Sequence, residues 1–150
     1  MLQLSPRSTI ALVGSSDGLP GDSDTVSRLC AVLESLGLHT VIFPSLYQTA
    51  AGKPQPARQR AADIQAAFAA PEVDALFDLT GGDGANAVLP HLDFPEIARH
   101  SKPFFGYSDV SVLLNPLQDF GHVPVFYQQA RFLASCPAAK ERFVHWIQQQ

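Results

Sequence analysis

Residues 102–117 read KPFFGYSDVSVLLNPL, and the way this stretch divides decides the fold. Its first part, Lys102 to Tyr107, is a short apolar run of the kind that forms a buried strand. From Asp109 the run DVSVLLNPLQDFG reads as a helix. Ser108 stands between the two. A serine at that point is open to two readings. It can be a plain Ser/Asp helix cap. It can also be a nucleophile in a sharp strand-to-helix turn, its hydroxyl standing above the sheet with the following N–H groups facing any oxyanion it creates. The stretch lacks the second glycine of G-x-S-x-G, so the pattern of residues leaves both readings open.

Working outward, strand-like and helix-like runs alternate along the whole chain. TIALVG (Thr9 to Gly14) is a continuous apolar run closed by a glycine, and predicts a buried strand. Asp24 to Leu36 places Val26, Leu29, Cys30, Leu33 and Leu36 at helical spacing, with Ser23 or Asp24 to cap the start and Gly37 to follow the end. His39 to Pro44 reads as a second strand stopped by proline, and Tyr47 to Pro56 as a surface loop. Ala57 to Ala70 predicts a helix with Ala61, Ile64 and Phe68 on one face, and Val73 to Thr80 a third strand. AVLPHLDFPEIARH predicts two short helical pieces broken by prolines. Lys102 to Tyr107 is then the fourth strand, Val123 to Tyr127 a fifth, and Ala138 to Gln150 a last helix bearing Phe143 and Trp146. Strands apolar throughout and separated by amphipathic helices predict a three-layer α/β sandwich around a mostly parallel sheet of about five strands.

The chain has 150 residues, enough for one domain with a sizeable core. Its 46% hydrophobic and 16% charged residues are those of a globular protein, and a formal charge of -4 argues against a nucleic-acid or anionic-membrane partner. TIALV is too short for a signal-peptide core or a membrane span, so a cytoplasmic setting is expected. Cys30 and Cys136 have no cysteine or histidine neighbours at metal-ligand spacing, so no metal site and no disulfide between them is expected.

In open parallel sheets ligands collect at the carboxyl ends of the strands. Three loops leave such ends here: GSSDGLPGDSD after the first strand, GGDGAN after the third, and YSD after the fourth. The first has neither G-x-G-x-x-G opening into a helix nor G-K-[ST], so Gly14, Gly18 and Gly21 are read as loop residues and not as a nucleotide site. Gly81 and Gly82 can present backbone N–H groups to an anion, or can simply serve a tight turn. Asp83 and Asn86 follow them as a turn residue and a helix-start residue.

With these residues in view, the chain resembles the serine LD-carboxypeptidases and the related microcin C immunity peptidases. The likeness runs through IALVGSSDG, AAFAAPEVDAL, GGDGAN, LPHLDF and FFGYSD, and it is their combination that is specific. The resemblance implies that Ser108 is the nucleophile and that the N–H of Asp109, with one from the Gly81–Gly82 turn, forms the oxyanion hole. It places Asp83 and Asn86 with the substrate. It implies a flavodoxin-like fold similar to the class I glutamine amidotransferases, and no cofactor. The expected substrates are L,D-peptides of peptidoglycan or peptidyl-nucleotide antibiotics. Thr80 stands where peptidoglycan enzymes of the family carry an arginine, which looks more like the immunity branch. VFYQQ lacks the family's glycine–proline. Family enzymes take their catalytic glutamate and histidine from a C-terminal domain, and His39, His91, His100, His122 and His145 match none of those positions. The chain is therefore expected to be a single N-terminal nucleophile domain, inactive alone, with a C-terminal domain, a second subunit or a second copy as partner. The competing reading is a stand-alone binding or regulatory protein derived from this domain.

Overall fold

The computed structural model describes residues 4–121, 123–126, 132–133 and 135–148. Five strands form one sheet: β1 (Thr9–Val13), β2 (His39–Ile42), β3 (Ala75–Asp78), β4 (Pro103–Gly106) and β5 (Val123–Phe126), in the order β2-β1-β3-β4-β5. Every pairing is parallel, with Ile10 opposite Ala75, Leu76 opposite Phe104 and Phe104 opposite Pro124. The helices are α1 (Asp24–Ser35), α2 (Ala57–Ala69), α3 (Phe94–Ile97), α4 (Ser111–Asp119) and α5 (Pro137–Gln148). Three short 3₁₀ segments lie at Pro44–Leu46, Ala85–His91 and Ser108–Val110. The expected three-layer parallel architecture is observed, and Tyr127 and Gln149–Gln150, the predicted ends of the fifth strand and last helix, lie outside the described residues.

Alternation along each strand divides the core into two layers. Ile10 and Leu12 of β1, Ala75 and Phe77 of β3 and Phe105 of β4 face α1 and α5, meeting Leu29, Leu33 and Phe143. Ala11, Val13, Leu76 and Phe104 face α2 and α4, meeting Ala61, Ile64, Phe68, Leu113 and Leu117. The period of two in a strand is what gives each sheet face its own layer. Aromatic rings bind α5 to the sheet centre: Phe77 and Phe105 lie 4.5 Å apart between centroids, Phe77 meets Phe143 at 6.1 Å, and Phe105 meets Trp146 edge-on at 5.8 Å. β2 is an outer strand, and its Val41 and Ile42 remain exposed. Cys30 packs against the first layer and both cysteines are free.

The local signals behave as physical chemistry asks. Ser23 caps α1 through its hydroxyl, and Gly37, at φ 79°, takes the left-handed position after it. Asp93 caps α3, accepting from the N–H of Glu96 at 3.0 Å, with proline in the first turn.

The strand order puts a crossing at the centre. From β1 the chain leaves on the α1 face toward β2, and from β3 it leaves on the opposite face toward β4. Loops that diverge in this way open a crevice at the carboxyl ends of β1 and β3. β1 enters that crevice through Gly14, where an added Cβ would stand 2.5 Å from the carbonyl of Ser45 and 2.7 Å from Thr80 Cγ2. Gly14 thus answers a packing need at the crossing that its loop setting does not reveal. Replacing Gly14 by alanine is expected to cost about 1–3 kcal/mol of stability through overpacking, read as a lower urea midpoint at unchanged slope. An unchanged midpoint would show that the exit of β1 has room to spare.

Candidate active site

The three loops predicted to meet do meet, because β1, β3 and β4 are neighbours in the sheet and all point the same way. Ser108 lies two residues past the end of β4, at the opening of the 3₁₀ turn that leads into α4. It is exposed, and its φ is 62°. Among the described residues only Arg7 shares that distinction outside glycine. A left-handed conformation costs an L-residue roughly 1–2 kcal/mol, because Cβ crowds the following carbonyl. The turn is compressed from behind as well. A Cβ on Gly106 would approach Val110 Cγ1 to 2.6 Å, so glycine two residues before the serine lets the strand double back onto its own helix.

The helix-cap alternative for Ser108 fails. Tyr107, not Ser108, precedes the 3₁₀ turn, and no side chain caps that turn or α4. The carboxylate of Asp109 reaches across to the neighbouring loops instead. Its Oδ2 accepts from Ser16 Oγ at 2.5 Å and from the N–H of Ala85 at 3.0 Å.

Ser16 is fully buried and joins all three loops. Its N–H donates to Thr80 Oγ1 at 3.0 Å, and its Oγ receives the N–H of Gly84 at 3.4 Å while donating to Asp109. Beneath it, Asp78 at the end of β3 accepts from the N–H of Ser15 at 2.8 Å and from both the N–H and hydroxyl of Thr80, at 2.9 and 2.6 Å. Burial pushes the Asp78 carboxyl upward, opposed by the hydrogen bonds from Ser15 and Thr80. Arg60, on α2, sends its guanidinium into the same floor. Nη1 donates to the carbonyls of Ser15, Ser16 and Gly84, and Nε to that of Gln55. Burial lowers the Arg60 pKa, while Asp17, Asp78 and Asp109 nearby favour its charge.

The glycine pair divides into two roles. Gly82 has φ 134°, and a Cβ there would collide with the carboxylate of Asp17. Gly81 has nothing within 4 Å of an added Cβ, so the space beside it is open. Among the described residues the N–H groups of Gly81, Gly82 and Asp109 have no acceptor. Asp83 on the same loop and Asn86 in the 3₁₀ segment that follows it are exposed. Thr80 is buried under the loop, both donor and acceptor in the network, and is framework rather than surface.

Sequence reasoning had passed over Ser15, Ser16, Arg60, Asp78 and the carboxylate of Asp109. Two signals were available. Arg60 and Asp63 fall on the buried stripe of α2 beside Ala61, Ile64 and Ala67, and Asp63 there accepts from the N–H of Ser45 at 2.7 Å. Asp78 ends an otherwise apolar strand. Charged groups at core positions need dedicated partners. Among the described residues no group of His, Cys, Asp and Glu is arranged to hold a metal ion.

Of the five histidines, His39 opens β2 and His100 precedes β4, both at the opposite edge of the sheet from Ser108. His100 pairs with Glu96 at 3.5 Å. His91 ends the 3₁₀ helix that starts at Ala85, which carries it roughly 12 Å from the glycine loop at 2 Å per residue. His145 is exposed on α5 and His122 lies outside the described residues.

Because Ser108 is exposed, its φ is expected to be measurable as strain. Ser108→Gly should be more stable than Ser108→Ala by about 1 kcal/mol, since both lose the hydroxyl and only glycine relieves the left-handed turn. Equal urea midpoints for the two variants would mean that the turn is unstrained.

Comparison with known proteins places this geometry. The model of the LD-carboxypeptidase N-terminal domain matches residues 10–128. The murein tetrapeptide carboxypeptidase of Pseudomonas aeruginosa is 32% identical over 117 residues, which cover 71% of this chain and 37% of that protein. A muramoyltetrapeptide carboxypeptidase from Oxalobacter formigenes superposes with a TM-score of 0.66 at 28% identity, over 78% of this chain and 38% of that one. A microcin C7 self-immunity protein solved with aspartyl sulfamoyl adenosine superposes with a TM-score of 0.81 over 98% of this chain and 47% of its own; at 22% identity that likeness speaks for the fold. The chain spans less than half the length of each of these relatives.

Proposed function

The chain belongs to the LD-carboxypeptidase family by its N-terminal domain, and on that premise we propose that it is the nucleophile-bearing part of a serine carboxypeptidase, with Ser108 as nucleophile. The observation that carries this reading is the conformation of Ser108. An exposed serine held at φ 62° between a parallel strand and a helix holds an unfavourable backbone geometry that no capping or packing role requires.

The mechanism is acyl transfer. Ser108 Oγ attacks the carbonyl carbon of the scissile amide and gives up its proton to a base, and the carbonyl oxygen takes the negative charge. The N–H of Asp109 and an N–H of the Gly81–Gly82 turn receive that oxygen. Donors already oriented for developing charge are typically the largest electrostatic contribution in such sites. The amine then leaves with a proton, and water releases the acyl group from Ser108. As the family resemblance implies, the base is a histidine oriented by a glutamate, both supplied by the family's C-terminal domain. Asp83, exposed on the glycine loop, and Asn86, exposed in the 3₁₀ segment after it, contact the substrate, which is an L,D-peptide of peptidoglycan or a peptidyl-nucleotide. The names of the relatives, murein tetrapeptide carboxypeptidase on one side and microcin self-immunity protein on the other, support those two classes.

The test is a carboxypeptidase assay on an L,D-tetrapeptide and on an aminoacyl sulfamoyl adenosine, with Ser108→Ala as control. Loss of a triad base costs about a million-fold in turnover, so the chain alone should match the Ser108→Ala control. Adding a polypeptide with the family's C-terminal half should produce turnover that Ser108→Ala abolishes. Ser108-dependent turnover by the chain alone would reject the external base. Turnover that survives Ser108→Ala would reject the nucleophile.

A further inference from the structure

The carboxylate of Asp109 is not required by the chemistry just described, which uses only that residue's N–H. Yet it is the group on which the three loops converge. Oδ2 receives Ser16 Oγ at 2.5 Å from the loop after β1 and the N–H of Ala85 at 3.0 Å from the loop after β3. Ser16 has no exposure at all, so its hydroxyl cannot trade this bond for one to bulk water. The same hydroxyl receives the N–H of Gly84 at 3.4 Å, and Arg60 donates to the carbonyls of Ser16 and Gly84 on either side of it. Asp109 Oδ1 is buried and without a partner among the described residues. The carboxylate is therefore held by one oxygen, at the junction, and not by solvent.

A side chain fixed at its far end fixes its own peptide. We propose that Asp109 and Ser16 are positioning residues: their hydrogen bond sets the Ser108–Asp109 peptide against the Gly81–Gly82 loop, so that the two sources of oxyanion donors keep a constant separation. This inference rests on the oxyanion role proposed for those N–H groups. Alternative explanations for the carboxylate are weaker. As a helix cap it has no bond to the first turn, and as an ion-pair partner of Arg60 it makes no direct contact that replaces the carbonyls Arg60 already holds.

The variants are Ser16→Ala, Asp109→Ala, the double variant, and Asp109→Asn, whose amide oxygen still accepts from Ser16 and Ala85. The first measurement is amide hydrogen exchange at Gly84 and Ala85 in the full chain, which needs no activity. Loss of one such hydrogen bond should speed exchange by about tenfold. Asp109→Ala and Ser16→Ala should each show that increase, the double variant no more than either, and Asp109→Asn should stay within about threefold of the parent. The second measurement is turnover in the presence of the C-terminal half, where Asp109→Ala should lower kcat by about a hundredfold with KM unchanged and Asp109→Asn should restore most of it. Unchanged exchange in Asp109→Ala overturns the inference whatever the activity shows. Unchanged kcat alongside faster exchange leaves a structural bond only and overturns the positioning role. Failure of the nucleophile reading shows itself separately, as turnover that persists in Ser108→Ala.

Discussion

An aspartate at the start of a helix ordinarily turns back to cap it, and Asp109 does not. Its carboxylate reaches away from its own helix to Ser16 and to the N–H of Ala85, and so ties together the loops at this edge of the sheet. The loops after β1, β3 and β4 share no covalent neighbours, and the parallel sheet brings only their starting points together. Past the last ladder bond, each loop is free to wander unless its polar groups find fixed partners. Ser16, after β1, and Asp109, after β4, supply those partners to each other and to the loop after β3, at Gly84 and Ala85.

Below that surface lies a second constraint, the burial of charge. Arg60 and Asp78 are each about 5% exposed, a position that unpaired charges do not tolerate. Asp78 is surrounded by donors from Ser15 and Thr80, and Arg60 by the carbonyls of Ser15, Ser16, Gly84 and Gln55. Neither bonds directly to the other. Each instead saturates backbone groups that the loop geometry would otherwise leave unsatisfied, so the charges serve as a scaffold for irregular backbone at a place where no helix or sheet ladder can.

The fold was almost wholly legible in the sequence. Short continuous apolar runs bounded by turn residues, such as TIALV and ALF, fit strands covered on both faces, and the spacing of Val26, Leu29 and Leu33 fits a helix face, so the layers followed from local pattern. The site was legible in part. Ser108, Gly81 and Gly82 stand in loops at strand ends, where composition alone draws the eye. Ser16 looks like an ordinary loop residue because its role depends on partners 93 and 64 residues away along the chain. Gly14 and Gly106 were equally mute, since the atoms that exclude a Cβ belong to Ser45, Thr80 and Val110 and are brought there by packing. What sequence pattern misses here are long-range polar bonds and close approaches, which have no period to detect.

The same contrast bears on substrate choice. By the family resemblance Thr80 points to the immunity branch. In the structure its hydroxyl donates to Asp78 and accepts from Ser16 beneath the loop, with the side chain 5% exposed. Its methyl also closes on Gly14. A residue so engaged holds the floor of the site and has no group left for a ligand. Thr80 therefore bears on substrate, if at all, through the height and shape of the Gly81–Gly82 turn above it. What the turn leaves exposed is the open space beside Gly81 and the side chains of Asp83 and Asn86. An acidic Asp83 there disfavours an anionic group placed against it and favours a cationic one. That is a property of charge at the rim, independent of which branch of the family the framework residues resemble.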